Sequence, residues 1–293
     1  KGGHAMEYIE YFEEIKKHQS CRDFTEQAVG ADELKELQEY FHRCRRLIPD
    51  LKMEMLVYNG TAADKIGRAA GYNGFLVSAP NYLLLFSDTG DHWLENAGFV
   101  GEALTLKLTQ LGIDSCWMTI NDGSAIKEAL VPDTDKEIGV LIAFGYKAKE
   151  EKLARLDIKS PSNVKMHKRT GPYAAPKIEL SDLLYDKKWG KPVNVDLIYR
   201  DLKEPLLALG VSQSFFNRQP YRVIMDDDII SLVAVPDEMT SDSDIRLGHG
   251  IAMFNFQAVL AAHRPADTQW KFDAPDRDLG LPEDVKFVAW CAI

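Results

Sequence analysis

Two stretches of the chain place the same kinds of element in the same order, and this repeat restricts the possible folds more than any other feature. The first stretch has an apolar helical pattern over 92–111, then DSCWMTI, then the strand-like EIGVLIAFGY at 137–146. The second has an apolar helix over 245–263 and closes with DVKFVAWCAI at 284–293. The sequence therefore predicts an internal duplication, in which each copy contains its own strands and one buried helix.

The remaining elements extend this order through both halves. For the first half the patterns predict helices over 6–17 and 32–46, strands over 53–59 and 81–88, and a short helix at 61–71. For the second half they predict helices near 179–186 and 196–209, and strands over 221–226 and 229–235. The segment KSPSNVKMHKRTGPYAAPK is rich in Pro, Ser, Lys and Arg and is expected to contain no regular element. The predicted organisation is a first half over 7–155, a connecting segment over 156–178 and a second half over 179–293.

Composition argues against several classes of function. The 293 residues carry a formal net charge of −10, so the chain lacks the basic field of a general nucleic-acid-binding protein. No run of about 18 apolar residues occurs, so no membrane span is expected. The four cysteines show no C-x-x-C and no zinc-site spacing with the seven histidines. We therefore expect no metal, and free thiols in a reducing cytoplasm.

The stretch HQSCRDF at 18–24 lies between two helical patterns and is predicted to be a short loop. Within it, Ser20 and Arg22 are side chains that can hold an anion or a carbonyl oxygen. Two simpler interpretations stay open. Ser20 can cap the next helix, and Arg22 can be an exposed charge beside a helix.

The second half carries SFFNRQPYRVI at 214–224, which has no counterpart in the first half. Pro220 restricts the residue before it to extended backbone, so Gln219 is expected at the mouth of the following strand. The amides of Asn217 and Gln219 can bind a ring that has both donors and acceptors, although they can also simply shape a turn. Because the two halves differ in this complementary way, we expect one composite site between them.

Four motifs of the chain, taken together and in order, resemble the FMN-dependent nitroreductase family. The family opens with a loop of pattern R-R-S-x-R/K-x-F, which corresponds to His18–Phe24 with His18 in place of the first Arg. Its segment P-S-x-x-N-x-Q-P-W is similar to Ser214–Tyr221, and its L-G-[LI]-x-x-x-W is similar to Leu111–Trp117. Its strand ending in Gly-Tyr is similar to Gly145–Tyr146.

Usual family members are homodimers that hold FMN between subunits, whereas this chain carries the motifs in two halves of one polypeptide. It therefore resembles the fused, pseudo-dimeric branch. The implied fold class is α+β, with two repeated halves that each have an antiparallel-type sheet and a central buried helix.

The resemblance also implies site residues. Arg22 would lie near the pyrimidine edge of FMN, Ser20 near its phosphate or ribityl chain, and Met118, Thr119 and Ile120 near N5. Ser214, Asn217 and Gln219 would reach in from the second half. The phosphate needs a further cation, for which the candidates are His18 and, from the segment between the halves, Lys168 and Arg169.

The implied reaction is ping-pong hydride transfer from NAD(P)H through FMN to a nitroaromatic, quinone or similar acceptor, with no protein nucleophile. No G-x-G-x-x-G motif is present, so a separate nicotinamide-binding domain is not expected. Two alternatives remain: a flavin- or ligand-binding protein that has lost turnover, and an enzyme that uses the same fold for flavin or halide-removing chemistry. The protein is expected to act as a monomeric pseudo-dimer or as a further homodimer.

Overall fold

The structure is a computed structural model that describes residues 9–148, 152–160, 163–170, 176–264 and 268–293, with only the backbone described for 152–160 and 163–170. The helices within these ranges are Tyr11–Lys17 (α1), Ala31–Arg43 (α2), Ala62–Ile66 (α3), Trp93–Gln110 (α4), Gly123–Leu130 (α5), Leu180–Leu183 (α6), Arg200–Gly210 (α7) and Asp242–His263 (α8). The strands are Met53–Asn59 (β1), Asn81–Ser87 (β2), Asp114–Met118 (β3), Glu137–Gly145 (β4), Lys152–Ser160 (β5), Asn163–Thr170 (β6), Leu184–Asp186 (β7), Tyr221–Met225 (β8), Ile229–Ala234 (β9), Trp270–Lys271 (β10) and Lys286–Ala292 (β11). Three short 3₁₀ turns lie at Gly67–Ala69, Val195–Leu197 and Phe215–Asn217.

Two sheets repeat one strand order. The first sheet has the order β1-β2-β4-β3, with antiparallel neighbours throughout. The second has the order β7-β8-β9-β11-β10, in which the last four strands follow the pattern of the first sheet. Only the added edge strand β7 pairs in parallel, with β8. In each half the long helix, α4 or α8, connects the second strand of this pattern to the third in chain order.

The central strands of the first sheet, β2 and β4, are buried on both faces, which explains why β2 is apolar along almost its whole length. Leu83 and Leu85 of β2 belong to the core cluster that also contains α4 and α8. Tyr82, Leu84 and Phe86 belong to a second cluster, which contains residues of α3 and α5. Successive side chains of a strand point to opposite faces, so this alternation means that helices cover the sheet on both sides.

The two long helices pack on each other at the centre of the molecule, and two glycines allow them to approach closely. A Cβ at Gly98 of α4 would lie 2.2 Å from the carbonyl oxygen of Leu247 in α8. A Cβ at Gly250 of α8 would lie 2.0 Å from the carbonyl oxygen of Glu95 in α4. Nearby, the rings of Phe99 and Phe254 pack edge to face, with their centroids 5.0 Å apart. The buried helix expected in each half is therefore part of one shared core.

Most predicted elements are confirmed, although the helices predicted over 32–46, 61–71 and 196–209 are shorter, at Ala31–Arg43, Ala62–Ile66 and Arg200–Gly210. The helix predicted over 179–186 is helical only at Leu180–Leu183, because the next three residues pair with β8 instead. The segment over 156–178 was expected to contain no element, but it includes most of the antiparallel hairpin β5–β6. The helix predicted over 6–17 starts at Tyr11, and its residues 6–8 lie outside the described residues.

Among the described residues, no helix is both long enough and apolar enough to span a membrane.

Candidate functional site at the boundary between the halves

The loop 18–24 is held in place by the first sheet. Ser20 forms a parallel bridge with Ser115 of β3, and the backbone N–H of Cys21 donates to the Ser115 carbonyl over 2.9 Å. This pairing fixes Ser20 and Arg22 beside β3, as the sequence predicted for a loop between α1 and α2. Ser20 does not cap α2, since the N-cap of that helix is Gly30.

Arg22 is exposed and makes no hydrogen bond or ion pair with the described residues. Its positive charge acts on the Cys116 thiol, whose pKa is raised by burial and partly lowered by Arg22. A guanidinium is charged at every physiological pH, and here no carboxylate of the described residues neutralises it. Arg22 is therefore available to a negatively charged or electron-rich ligand.

The turn after β3 contacts both halves. Met118 is buried in the first-half core, whereas Thr119 and Ile120 are partly exposed. The Thr119 carbonyl accepts from the backbone N–H of Gly71 over 2.8 Å, which fixes the turn to the first half. The Thr119 hydroxyl donates to Asp244 Oδ2 over 2.6 Å, and Asp244 lies in the first turn of α8. This turn therefore links the first sheet to the second long helix.

The loop from Ser214 to Gln219 adopts an unusual backbone. Phe216, Asn217 and Gln219 all have positive φ, between 47° and 57°. Such values are uncommon for residues other than glycine, and Asn tolerates them best. Asn217 Nδ2 donates to the Pro176 carbonyl, while Asn217 Oδ1 is buried without a hydrogen-bond partner among the described residues. An amide oxygen in this state can accept from a ligand.

Gln219 differs from the prediction in its backbone and in its side chain. It was expected to be extended before Pro220, but its φ is +47°. The side chain, 3% exposed, explains the difference, because it anchors the loop from both ends of its carboxamide. Gln219 Nε2 donates to the Gly210 carbonyl over 2.6 Å, and Oε1 accepts from the backbone N–H of Ile178 over 3.0 Å. Gln219 therefore supports the loop from inside, and its contact with a cofactor stays a prediction.

Three contacts join these loops across the boundary between the halves. They are Ser20 Oγ to Gln213 Oε1 at 3.4 Å, Thr119 Oγ1 to Asp244 Oδ2 at 2.6 Å, and the edge-on rings of Tyr72 and Phe216 with centroids 4.6 Å apart. We call the group formed by Ser20, Arg22, Thr119, Ser214 and Asn217 the interlobe site. The loops that carry the predicted residues thus contact the opposite half at these three points, and the shared ligand site stays a prediction.

The structure describes only one of the three residues predicted to supply a positive charge for the FMN phosphate well enough to assess it. His18 Nδ1 lies 3.0 Å from Thr109 Oγ1, and its Nε2 is buried without a partner among the described residues. Burial lowers the pKa of His18 to about 4, so the ring is uncharged at neutral pH and does not replace the arginine of the motif. Lys168 and Arg169 lie on β6, where side-chain positions are outside the described part of the structure, and their role stays a prediction.

A buried polar network that no sequence motif predicted lies directly behind Ser20. Glu102, in the middle of α4, accepts from Gln213 Nε2 over 3.2 Å and from Asn255 Nδ2 over 3.1 Å. Asn255 also donates to Ser212 Oγ over 3.0 Å, and Lys177 Nζ donates to the Ser212 carbonyl over 3.0 Å. The network therefore joins α4 of the first half to α7, α8 and the approach to α6 in the second.

Burial determines the charge of this network. It raises the pKa of Glu102 to about 7, although the amides of Asn255 and Gln213 and the charge of Lys177 oppose the shift. It also lowers the pKa of Lys177 to about 8, which the charge of Glu102 opposes. A charged form loses its hydration when it is buried, so both groups are shifted toward their neutral forms.

One feature of the sequence does mark Glu102. It is an acidic residue within the apolar helix of the first half, between Val100 and Leu104, where the helix is buried all round. Such a residue is costly unless it is hydrogen-bonded, so it implies partners on neighbouring elements. The identity of those partners, Gln213 and Asn255, depends on tertiary packing that the local pattern does not contain.

The donors and acceptors of the interlobe site fit an anionic ligand that has polar ring edges. Arg22 supplies a permanent charge, Ser20 and Ser214 supply hydroxyl groups, and Asn217 supplies an unpaired amide oxygen. This is the kind of set that binds the phosphate and the polar edge of FMN. Within the described ranges, no group of three His, Cys, Asp or Glu side chains is arranged to hold a metal ion.

Comparisons with known proteins place the chain in a family. A family model described as "Putative TM nitroreductase" matches residues 10–259, which is most of the chain. A "putative nitroreductase" of known structure from Thermotoga maritima is 15% identical, with a TM-score of 0.58, and the match covers 100% of this chain and 97% of that chain. An FMN-dependent nitroreductase from Clostridium difficile is 21% identical, with a TM-score of 0.41 and coverage of 47% of this chain and 88% of that chain. None of the curated proteins matched.

The match over the whole Thermotoga chain confirms the α+β nitroreductase-like fold that the four motifs implied. Together with the family model, it identifies this chain as a member of the TM nitroreductase family.

Proposed function

We propose that the protein is an FMN-dependent oxidoreductase that takes a hydride from NAD(P)H and reduces a nitroaromatic, quinone or similar small acceptor. Membership of the family supports the reaction class. The observation that carries the cofactor assignment is Arg22, which is exposed, has no partner among the described residues and lies two residues from Ser20, the residue of this loop that contacts Gln213 of the second half. Bound FMN would supply the hydride transfer, which amino-acid side chains cannot perform alone.

The residues of the interlobe site would bind and orient the cofactor. Arg22 would stabilise negative charge on the flavin, and Ser20 and Asn217 would make hydrogen bonds from opposite halves. The hydrogen bond from Thr119 to Asp244 would hold the turn after β3 against α8. We propose that the acceptor and the nicotinamide bind at the same boundary between the halves.

A second candidate is a flavin-binding protein without turnover. It is favoured by one observation, the uncharged state of His18 at neutral pH. The FMN phosphate would then lack the positive charge that an arginine supplies at this position of the motif. Lys177 carries charge in the network behind Ser20 and can compensate at longer range. The two candidates differ in whether a reduced nicotinamide can deliver electrons to the protein.

The test starts with the purified full chain. FMN binding is measured by quenching of flavin fluorescence, and NADH or NADPH is then added without oxygen. Loss of the yellow absorbance supports the enzyme, and a yellow protein that resists both donors supports the binding protein. A chain that takes up no FMN rules out both.

Arg22→Ala is expected to weaken FMN affinity at least tenfold, because the charge and its hydrogen bonds are lost together. Arg200→Ala is the matched control, since Arg200 is an exposed arginine at the start of α7, outside the interlobe site. Equal affinities for the two variants would remove Arg22 from the site.

A further inference from the structure

The hydrogen bonds of Glu102 determine which way the carboxamide of Gln213 points. An ionised carboxylate only accepts hydrogen bonds. The atom of Gln213 that faces Glu102, at 3.2 Å, must therefore be Nε2, and Oε1 must face the other way. Gln213 Oε1 lies 3.4 Å from Ser20 Oγ, which is longer than the ~2.8 Å of a strong hydroxyl hydrogen bond. With Glu102 ionised, the orientation of this amide thus follows from the fact that a carboxylate has no proton to donate.

The orientation of Gln213 in turn determines where the Ser20 hydroxyl donates its hydrogen bond. Because Gln213 Oε1 can only accept, the Ser20 hydroxyl donates toward it and keeps its lone pairs for a ligand. We propose that Glu102 and Gln213 are positioning residues which hold Ser20 as a hydrogen-bond acceptor, so that Ser20 selects a hydroxyl or N–H of the ligand and not an anionic oxygen.

This inference rests on the proposed function, since it concerns how the interlobe site receives FMN. It resolves the two roles left open for Ser20. A ribityl hydroxyl or a ring N–H can donate to Ser20, whereas a fully ionised phosphate carries no proton to donate. The phosphate then depends on Arg22 and on other donors.

A neutral Glu102 would change the arrangement. A protonated carboxyl has one O–H donor, which needs an acceptor where an amide N–H₂ now lies. Either Gln213 or Asn255 would then have to turn its oxygen toward Glu102. If Gln213 turns, Nε2 faces Ser20, and the hydroxyl becomes a donor toward the ligand instead of an acceptor.

Three other titratable groups lie close to Glu102. Lys177, on the approach to α6, is positive and favours the ionised carboxyl. His18, in the loop after α1, has a pKa of about 4, and Tyr221, on β8, has a pKa of about 12. The packed part of α8 contributes only the neutral Asn255. Between pH 6 and pH 8 the Glu102 carboxyl passes through its pKa of about 7, while Lys177, with a pKa of about 8, loses charge at the upper end of this range. The Glu102→Gln variant therefore separates the contribution of the carboxyl from that of Lys177.

The test is a double-mutant cycle on the full chain, with FMN affinity as the readout at pH 8 and at pH 6. The variants are Glu102→Gln, Ser20→Ala and the double variant. We expect the wild type to bind FMN about tenfold more weakly at pH 6 than at pH 8. Glu102→Gln should show the weaker affinity at both pH values, and adding it to Ser20→Ala should cause no further loss.

Glu95→Gln is the matched control, because Glu95 is also a buried acid of α4 but pairs with Arg246. It should keep the affinity and the pH response of the wild type. Should Glu102→Gln fail to fold by circular dichroism, Gln213→Met removes the same link and should also lose the pH response.

Two outcomes overturn the inference while leaving FMN binding intact: a wild-type affinity that is equal at both pH values, or losses from Ser20→Ala and Glu102→Gln that simply add. A wild type that binds no FMN at either pH overturns the inference and the proposed function together.

Discussion

The charge of Glu102 affects the stability of the fold as well as the hydrogen bonds of the buried network. Its pKa of about 7 in the folded protein lies above the ordinary value of a glutamate. A group with a raised folded pKa contributes stability that is present below its unfolded pKa and is lost as the pH rises through the folded value. The ionised form that orders Gln213 and Ser20 is therefore the form that destabilises the fold.

Glu102→Gln is expected to reduce the pH dependence of stability. Between pH 5 and pH 8 the wild type should lose about 1–3 kcal/mol of unfolding free energy through this group, and the variant should not. Urea unfolding at pH 5, 6, 7 and 8 measures the slope, which is insensitive to any constant loss of hydrogen bonding. Parallel pH profiles for the two proteins would contradict the expectation.

Some residues of the candidate site could be predicted from the sequence, and others could not. Ser20, Arg22 and Asn217 could be proposed because their motifs are local, and Ser20 does contact Gln213 of the other half. Gln213 and Lys177 carry no local motif, and they matter only because α4 of the other half brings Glu102 to them. Whether the Ser20 hydroxyl donates to a ligand or accepts from it therefore depends on its contact with Gln213 and, through Gln213, on Glu102.

At the scale of elements, the crossing of α4 and α8 limits what either helix can contain. Gly98 and Gly250 leave no room for a side chain, because the nearest atoms belong to the backbone of the facing helix. Backbone atoms move only if the helix moves. The close approach therefore depends on both glycines.

Gly250→Ala is expected to destabilise the protein by about 3 kcal/mol, since its Cβ would lie 2.0 Å from the Glu95 carbonyl oxygen. Gly248→Ala in the same helix is the control. A Cβ there has its nearest neighbour 4.0 Å away, so the higher helix propensity of alanine should raise stability by about 0.5–1 kcal/mol. Thermal unfolding measures both, and similar melting temperatures for the two variants would show that the helices can separate without cost.

The elements that sequence patterns missed share a physical cause. β7 has three residues and exists through its parallel pairing with β8, so no window of its own sequence marks it. The hairpin β5–β6 did carry a signal, since its register pairs Ile158 with Val164 and Leu156 with Met166. That short alternation was outweighed by the Pro and Ser content of the segment. The long helices and the central strands were predictable because burial imposes a strong period on them.

The whole molecule has a core that both halves build. One cluster of buried side chains contains residues of α2, β2 and α4 together with residues of α7, β9 and α8. A bidentate ion pair between Arg246 and the buried Glu95, with both bonds at 2.9 Å, adds to this boundary. Neither half can bury its long helix without the other.

We therefore expect the full chain to unfold in one cooperative step, and residues 9–155 alone to fail to fold. Circular dichroism and tryptophan fluorescence should report the same midpoint for the full chain. The isolated segment should lack a cooperative transition, because the α8 side of α4 would be exposed to water. Two separate transitions, or a stable first half, would indicate that the halves are independent domains.

Since the two sheets with their common strand order belong to a single polypeptide, a position in one half can be changed without changing its counterpart in the other half. In an assembly of identical chains, a substitution in a binding loop is copied into every equivalent site. Here a replacement at Asn217 alters the loop before β8 and leaves the corresponding segment before β1 unchanged. Directed evolution of this scaffold can thus vary the loops of the two halves independently, and a mutational scan would report the effect of each loop by itself.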